Sequence, residues 1–494
     1  MSNLAIIAGP FAAIIFYFAL PFEYTITNGD LVALSDTARA TLAMAVWMAM
    51  WWLTEAVPVP VTALLPIVAF PLLGLGSVRQ VTTPYAHPLI FLFLGGFLLA
   101  IAIEKWGLHR WIAERVVRLT GGDAYRLVGG FMGITAFSSM WLSNTATTIM
   151  MLPIAISMVN QVDRTAPRDE TRRFARCLLL AIAYAATIGG MGTLIGSPPN
   201  VFVASYIEDH YGVSLDFRLW MSMALPIVAV LLPATWYLLT RHIVPIRPDI
   251  VASLPAPSAP DRGWRGLARG AKWTAAVFVL TVSAWVGRPW LTMLEVSGAK
   301  PLAGLTDTGI AMLAGLSLFA IPTNWHRREF IMSWSDAEKL PLGTLLLFGG
   351  GLTLAATVSA TGADRFIGAQ LVGLGDVPTW LALVAVITGV AFLTELTSNT
   401  ATTTTLVPVL AAAAVTLGLE PIPIIIVTAL AASCAFMMPV ATPPNAIVFS
   451  SGRVSIPEMA QAGFVINIVA IFVVALAALF WVPYMIGAGL GGGS

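Results

Sequence analysis

Two short stretches of this chain carry groups able to hold an ion. Leu142-Ser143-Asn144-Thr145-Ala146-Thr147-Thr148 returns 255 positions later (398 − 143) as Thr397-Ser398-Asn399-Thr400-Ala401-Thr402-Thr403. A second pair follows the first: Gly196-Ser197-Pro198-Pro199-Asn200 and Ala441-Thr442-Pro443-Pro444-Asn445. Hydroxyl and carboxamide N–H groups donate to anions, and the oxygens of the same residues accept or ligate. The four segments are expected to meet as one binding site for a small anion and its coupling cations.

Each Pro-Pro pair is preceded by a hydroxyl residue, which is a strong helix start: the hydroxyl caps, and proline lacks only an N–H that would go unpaired anyway. Ser143-Asn144-Thr145 and Ser398-Asn399-Thr400 are equally suited to cap a helix. Four helix N-termini would then face one cavity, each with free N–H groups and a partial positive charge of about half an electron unit. Such ends hold carboxylates without a buried Arg or Lys, and the middles of the apolar segments contain none. A cationic side chain at the bilayer centre would cost about 2.5–3.5 kcal/mol on insertion scales. Carbonyls released at Gly196 and Ala441, with the Ser, Thr and Asn oxygens, suit a hard cation such as Na⁺. Cation and anion would share the same tips, so that the cation organises the loop the anion then binds. Ser and Thr in membrane helices often only bond a neighbouring helix. Two copies, each followed by a Pro-Pro-Asn break, argue for more than that here.

Composition sets the class. Of 494 residues 58% are hydrophobic and only 10% charged, with mean hydropathy +0.85, too few charges to cover a soluble globule. The chain reads as a polytopic, all-α membrane protein. Its net charge of +1 gives no reason to expect a nucleic-acid partner. Met1-Ser2-Asn3-Leu4 lacks the basic start of a secretory signal, so the first apolar stretch is expected to stay as a span. Cys177 and Cys434 lie in apolar segments without metal-ligand spacing and read as buried thiols. The five histidines fall at span ends or in loops, which argues against a metal cluster or a proton relay.

A spanning helix needs roughly 20 apolar residues. That length predicts helices near 3–22, 38–54, 59–76, 87–106, 219–240, 272–290, 307–322, 341–359 and 462–486. The segments 125–160 and 377–416 carry polar tips in their middles. Irregular backbone at membrane depth is tolerated only inside protein or beside a cavity, so both read as re-entrant hairpins. Helices at 172–207 and 421–450 are expected to break at Gly196–Asn200 and Ala441–Asn445. At 107–120, Arg110, Arg115 and Arg118 alternate with apolar residues, as in a helix lying on the membrane surface, or in a solvated extension of the preceding helix. A second surface segment is expected at 362–374. Glu395, in the second hairpin, reads as structural rather than as a proton site, and Glu55, beside Pro58 and Pro60, as an interfacial acid.

With the N-terminus inside, most of the 26 Lys and Arg fall in cytoplasmic segments, and Arg39, Arg79, Arg218, Arg288, Lys300 and Arg365 fall outside. The repeat extends beyond the tips: Leu94-Gly95-Gly96 and Gly107 with Arg110 reappear at the same offset as Gly349-Gly350-Gly351 and Gly362 with Arg365. An odd number of spans between the hairpins makes the second repeat inverted relative to the first, an arrangement that places substrate at the repeat interface of secondary transporters.

The paired Ser-Asn-Thr tips, the Pro-Pro-Asn breaks and a layout of about eleven spans resemble the divalent anion/sodium symporter (DASS) family, which includes the INDY dicarboxylate and citrate carriers. The resemblance covers nearly the whole chain. It implies a homodimer in the inner (plasma) membrane that takes up C4 dicarboxylates such as succinate, malate and fumarate with two or more Na⁺ per protomer. It further implies an elevator, with scaffold at 1–86 and 219–335 and transport domain at 87–218 and 336–494. The resemblance places one Na⁺ at Ser139, Ser143, Asn144 and Gly196, and another at Thr394, Thr397, Asn399 and Ala441. Substrate carboxylates would meet Ser143, Asn144, Thr145 and Ser197 on one side and Ser398, Asn399, Thr400, Thr442 and Pro443 on the other. Thr397 departs from the family, which has alanine there. A Na⁺-independent exchanger and a citrate or sulfate carrier are alternatives within the family, and an anion channel is one outside it. An enzyme would need a nucleophile, a metal cluster or paired acids, and the sequence offers none of them.

Overall fold

The computed structural model describes residues 2–25, 30–108, 111, 112, 115, 122–252, 263–297, 299–371 and 378–491. These residues are mostly helical. Two short antiparallel ribbons interrupt the all-α expectation, Glu23–Thr25 with Leu31–Ala33 and Pro322–Asn324 with Glu329–Phe330. Seven described helices are long and apolar enough to cross a membrane, and five shorter apolar ones pack among them, as expected of a polytopic membrane protein.

Both hairpins form. In the first, Ala124–Ser139 enters and Asn144–Val162 returns; in the second, Thr379–Leu393 enters and Asn399–Thr416 returns. Each clasps the first half of the broken helix that follows it, Arg168–Gly190 and Pro421–Ala432 respectively. The second halves, Pro198–Tyr211 and Pro443–Ser450, cross over. Pro198–Tyr211 packs on the second hairpin's returning arm and on Pro421–Ala432, while Pro443–Ser450 packs on the first hairpin's returning arm and on Arg168–Gly190. This exchange brings four segments that are distant in sequence to one place.

The breaks begin earlier than the proline signal suggests. The first helix ends at Gly190, a short 3-10 turn covers Leu194–Gly196, and the chain resumes as helix at Pro198. The second ends at Ala432, ten residues before Thr442. Proline marks where a helix restarts, but the preceding stop depends on tertiary contacts that release the backbone.

Helices Pro88–Lys105 and Leu342–Thr361 carry the repeated glycines. A Cβ at Gly95 would lie 2.5 Å from the Ala311 carbonyl group, in helix Asp307–Ala320, and one at Gly350 would strike the Ala63 carbonyl of helix Val59–Leu72. Small residues permit this close approach, which is how helices gain packing energy where no hydrophobic effect drives them together. Gly107 and Gly362 follow these helices with φ of 66° and 73°, the left-handed ending glycine favours. The second surface helix is Ala363–Leu371, within the expected 362–374, and the first, at 107–120, lies mostly outside the described residues.

A leucine at Gly95 or Gly350 should overpack these crossings and cost about 1–3 kcal/mol, read as a lower midpoint in a thermal size-exclusion assay. Gly133, whose Cβ would meet nothing within 4 Å, should tolerate the same change with little shift.

Candidate functional site

The two tips and two breaks line one cavity of about 710 Å³. Ser143, Asn144, Thr145, Gly196, Ser197, Ser398, Asn399, Thr400, Ala441, Thr442 and Pro443 all face it, with Phe93, Phe97, Ile195, Pro341, Thr344 and Val440 completing much of the wall. No Lys, Arg or His is among its lining residues. All four helix starts reach the cavity, so their dipoles add there.

Behind the cavity, the same hydrogen bonds recur in both repeats. Ser139 Oγ donates to Asn144 Oδ1 (2.5 Å) and the Ala186 carbonyl (2.6 Å). Thr394 Oγ1 does the same for Asn399 Oδ1 (2.7 Å) and the Ala432 carbonyl (3.0 Å). Because one hydroxyl proton serves two acceptors, each site holds more oxygen than protons, a composition suited to a cation. Fixing each Oδ1 this way also turns the carboxamide so that its NH₂ is left over. Neither NH₂ has a protein partner among the described residues, and neither do the hydroxyls of Thr145, Ser197, Ser398 and Thr400. These donors are available to an anion.

The breaks are held open by asparagine. Asn200 Nδ2 donates to the carbonyls of Gly190 (3.0 Å) and Thr193 (2.8 Å), and Asn445 Nδ2 to those of Ala435 (3.4 Å) and Met438 (3.0 Å). The carbonyls of Gly196 and Ala441 accept no hydrogen bond from the described residues, which leaves them free as ligands. Gly190 is obligatory for closeness: a Cβ there would collide with the Asn144 carboxamide.

One expectation needs correcting. The Pro-Pro helices offer a dipole but not free N–H groups, since Pro198, Pro199, Pro443 and Pro444 have none. The next N–H groups are taken, Asn200 by the Ser197 carbonyl (3.1 Å) and Asn445 by Thr442 Oγ1 (3.3 Å). Backbone donors must therefore come from the hairpin tips. Capping is also uneven. Ser143 and Thr442 cap their helices, whereas Ser197 and Ser398 stand at cap positions with their side chains unengaged.

A profile of the family described as "Sodium:sulfate symporter transmembrane region" matches residues 25–487. The chain belongs to that symporter family. It is 38% identical over 457 residues to the sodium-dependent dicarboxylate transporter SdcS of Staphylococcus aureus, in strains USA300 and MW2 alike, covering 90% of this chain and 86% of that protein. In fold it is similar to the YdaH transporter of Alcanivorax borkumensis (TM-score 0.57, 14% identity, 99% of this chain and 98% of that one). It is likewise similar to MtrF of Neisseria gonorrhoeae (TM-score 0.60, 12% identity, 97% and 94%). The family and these relatives are transporters, so the chain is a transporter and not an enzyme.

Three of the sequence-derived residues do not line this transporter's cavity. Ser139 and Thr394 stand behind it, gripping the asparagines. Thr397 bonds within its own hairpin, donating to the Leu393 carbonyl (3.0 Å) and lying 2.6 Å from Thr402 Oγ1. Its hydroxyl is thereby spent on the turn. Glu395, in the second hairpin, is held by a defined set of donors. Buried, it accepts the N–H groups of Phe436 (2.7 Å), Met437 (3.0 Å) and Met438 (3.0 Å), and the Asn467 amide (2.7 Å). It shapes the second break. The first break uses a different fastening, the Thr193 hydroxyl on the Met140 carbonyl, at the position equivalent to Glu395. The apolar wall residues carry no distinguishing sequence signal beyond lying on helices beside the tips.

Glu395→Gln should forfeit charge-assisted bonds worth about 1.5–3 kcal/mol. The expected result is a lower thermal midpoint, with a smaller rise on adding Na⁺ than the unsubstituted protein shows.

Proposed function

We propose that this protein takes up C4 dicarboxylates, succinate, malate or fumarate, driven by the Na⁺ gradient. The observation that carries the reading is the cavity itself: paired carboxamide NH₂ groups and free hydroxyls on two facing tips, with no basic side chain among the lining residues. A dicarboxylate has one charged end for each tip. The curated name of the SdcS relatives supports the same substrate class and the same driving ion.

In this proposal Na⁺ sits at two sites. Ser139, Ser143, Asn144 and the Gly196 carbonyl hold one, and Thr394, Thr397, Asn399 and the Ala441 carbonyl hold the other. Thr397 would contribute its backbone carbonyl, because its hydroxyl is engaged. A bound cation draws these oxygens together and so sets the angle of the neighbouring NH₂ groups, which makes anion binding depend on the ion. Substrate carboxylates meet Ser143, Asn144, Thr145 and Ser197, and Ser398, Asn399, Thr400, Thr442 and Pro443.

We further propose an elevator in which hairpins and broken helices form the moving body. The sequence division puts 87–218 and 336–494 in that body. Helices Pro88–Lys105 and Leu342–Thr361 approach Asp307–Ala320 and Val59–Leu72 so closely that we assign them to the scaffold instead. Helix Ala363–Leu371 would link the two bodies, since Phe366 meets Tyr24 edge to face and Gly368 lies against Thr416. The protein would act as a homodimer in the plasma membrane with its N-terminus in the cytoplasm.

Labelled succinate uptake into proteoliposomes should be concentrative with an inward Na⁺ gradient and absent when K⁺ replaces Na⁺. Equal uptake in both would mean exchange and would end the symport reading. Asn144→Ala and Asn399→Ala each remove a donor to a charged group worth about 1.5–3 kcal/mol, so uptake should fall by about ten- to a hundredfold at unchanged expression.

A further inference from the structure

Among the residues lining the cavity, Glu55 is the only one with a charged side chain. It belongs to neither tip nor break. It ends helix Asp36–Thr54 in the left-handed conformation, φ 47° and ψ 37°. Glycine or asparagine adopts that conformation far more readily than glutamate. Of the described non-glycine residues only Ser297 and Arg328 share a positive φ. Neither is among the lining residues of this cavity. Strain of this kind persists where the surroundings impose it, and it concentrates at functional positions. The glutamate is exposed and forms no ion pair with the described residues. The chain just beyond it is fixed in place: a Cβ on Gly343 would meet Pro60 at 2.5 Å, so the 55–60 segment is pressed against the start of the helix that supplies Thr344 to the same wall.

An unpaired carboxylate on the wall of an anion's chamber works against binding unless it discriminates. The carboxamide donors and every lining hydroxyl but that of Thr344 lie on the tips and breaks, so a guest with two carboxylates can direct both toward them. A third carboxylate has no such place and shares the chamber with Glu55. The cavity is roughly 9 Å across, the cube root of its volume, and over such a distance two like charges are only partly screened at physiological salt.

We propose that Glu55 is a charge filter, a specificity-determining residue that admits dicarboxylates and rejects anions bearing a third carboxylate. The proposal rests on the reading of the cavity as a dicarboxylate site. Mechanistically it divides selection between two surfaces: the tips measure what must be present, and Glu55 measures what must be absent, which is how specificity is commonly built.

The test uses the full-length protein in proteoliposomes under a Na⁺ gradient at pH 8, with unlabelled succinate or tricarballylate competing against labelled succinate. Tricarballylate should compete at least tenfold more weakly than succinate with the unsubstituted protein. Glu55→Gln, which keeps the shape, and Glu55→Asn, which also suits the left-handed backbone, should strengthen tricarballylate competition tenfold or more and succinate by threefold or less. Glu55→Asp should retain the original ratio. An unaltered ratio in whichever neutral variant still takes up succinate overturns the filter alone. Absence of succinate uptake by the unsubstituted protein overturns the dicarboxylate reading as well.

Discussion

A divalent anion inside an apolar protein must be given donors without a permanent positive charge being left behind when it departs. A lysine or arginine in the cavity would meet the first need and fail the second, because an uncompensated cation in low dielectric costs several kcal/mol. Helix ends, hydroxyls and carboxamides meet both. They are neutral when empty and attractive when occupied, and, Glu55 apart, the polar lining of this cavity is made of them. The glycine approaches, the asparagine braces and the carboxylate at Glu395 all serve to aim or support these neutral groups.

Aiming depends on the exchange between repeats. If each broken helix stayed with its own hairpin, the molecule would contain two half-sites, each with one tip and one break. Sending Pro198–Tyr211 to the second hairpin and Pro443–Ser450 to the first joins them into one. The glycine-bearing helices repeat the logic, since Gly95 closes on Ala311 in the second half of the chain and Gly350 on Ala63 in the first. Neither half could fold this site alone.

Within the repeat the two halves have diverged in how they hold the backbone. The oxygens around Asn144 and Asn399 are arranged alike, down to the paired bonds from Ser139 and Thr394. The fastenings differ: Thr193 on Met140 in one half, Glu395 on three consecutive N–H groups in the other. A single neutral hydroxyl and a buried carboxylate differ in strength by roughly a factor of two per bond. The two breaks are thus held by different chemistry.

Much of this was legible in the amino-acid order. Apolar runs and polar interruptions located the hairpins, the recurrence of Ser-Asn-Thr located the tips, and Ser197-Pro198 and Thr442-Pro443 marked helix restarts, because periodicity and proline act locally. The ends of the preceding helices at Gly190 and Ala432 were not legible, since they depend on Ser139, Asn200 and Thr394 bonding from elsewhere in the chain. Nor could the sequence assign Glu395 its three N–H partners or set Glu55 on the cavity wall. Local chemistry alone determined which residues could bind an ion. Only the crossing of the two halves decided which of them share a chamber, because contact between positions some 250 residues apart is a property of packing and leaves no trace in either segment by itself.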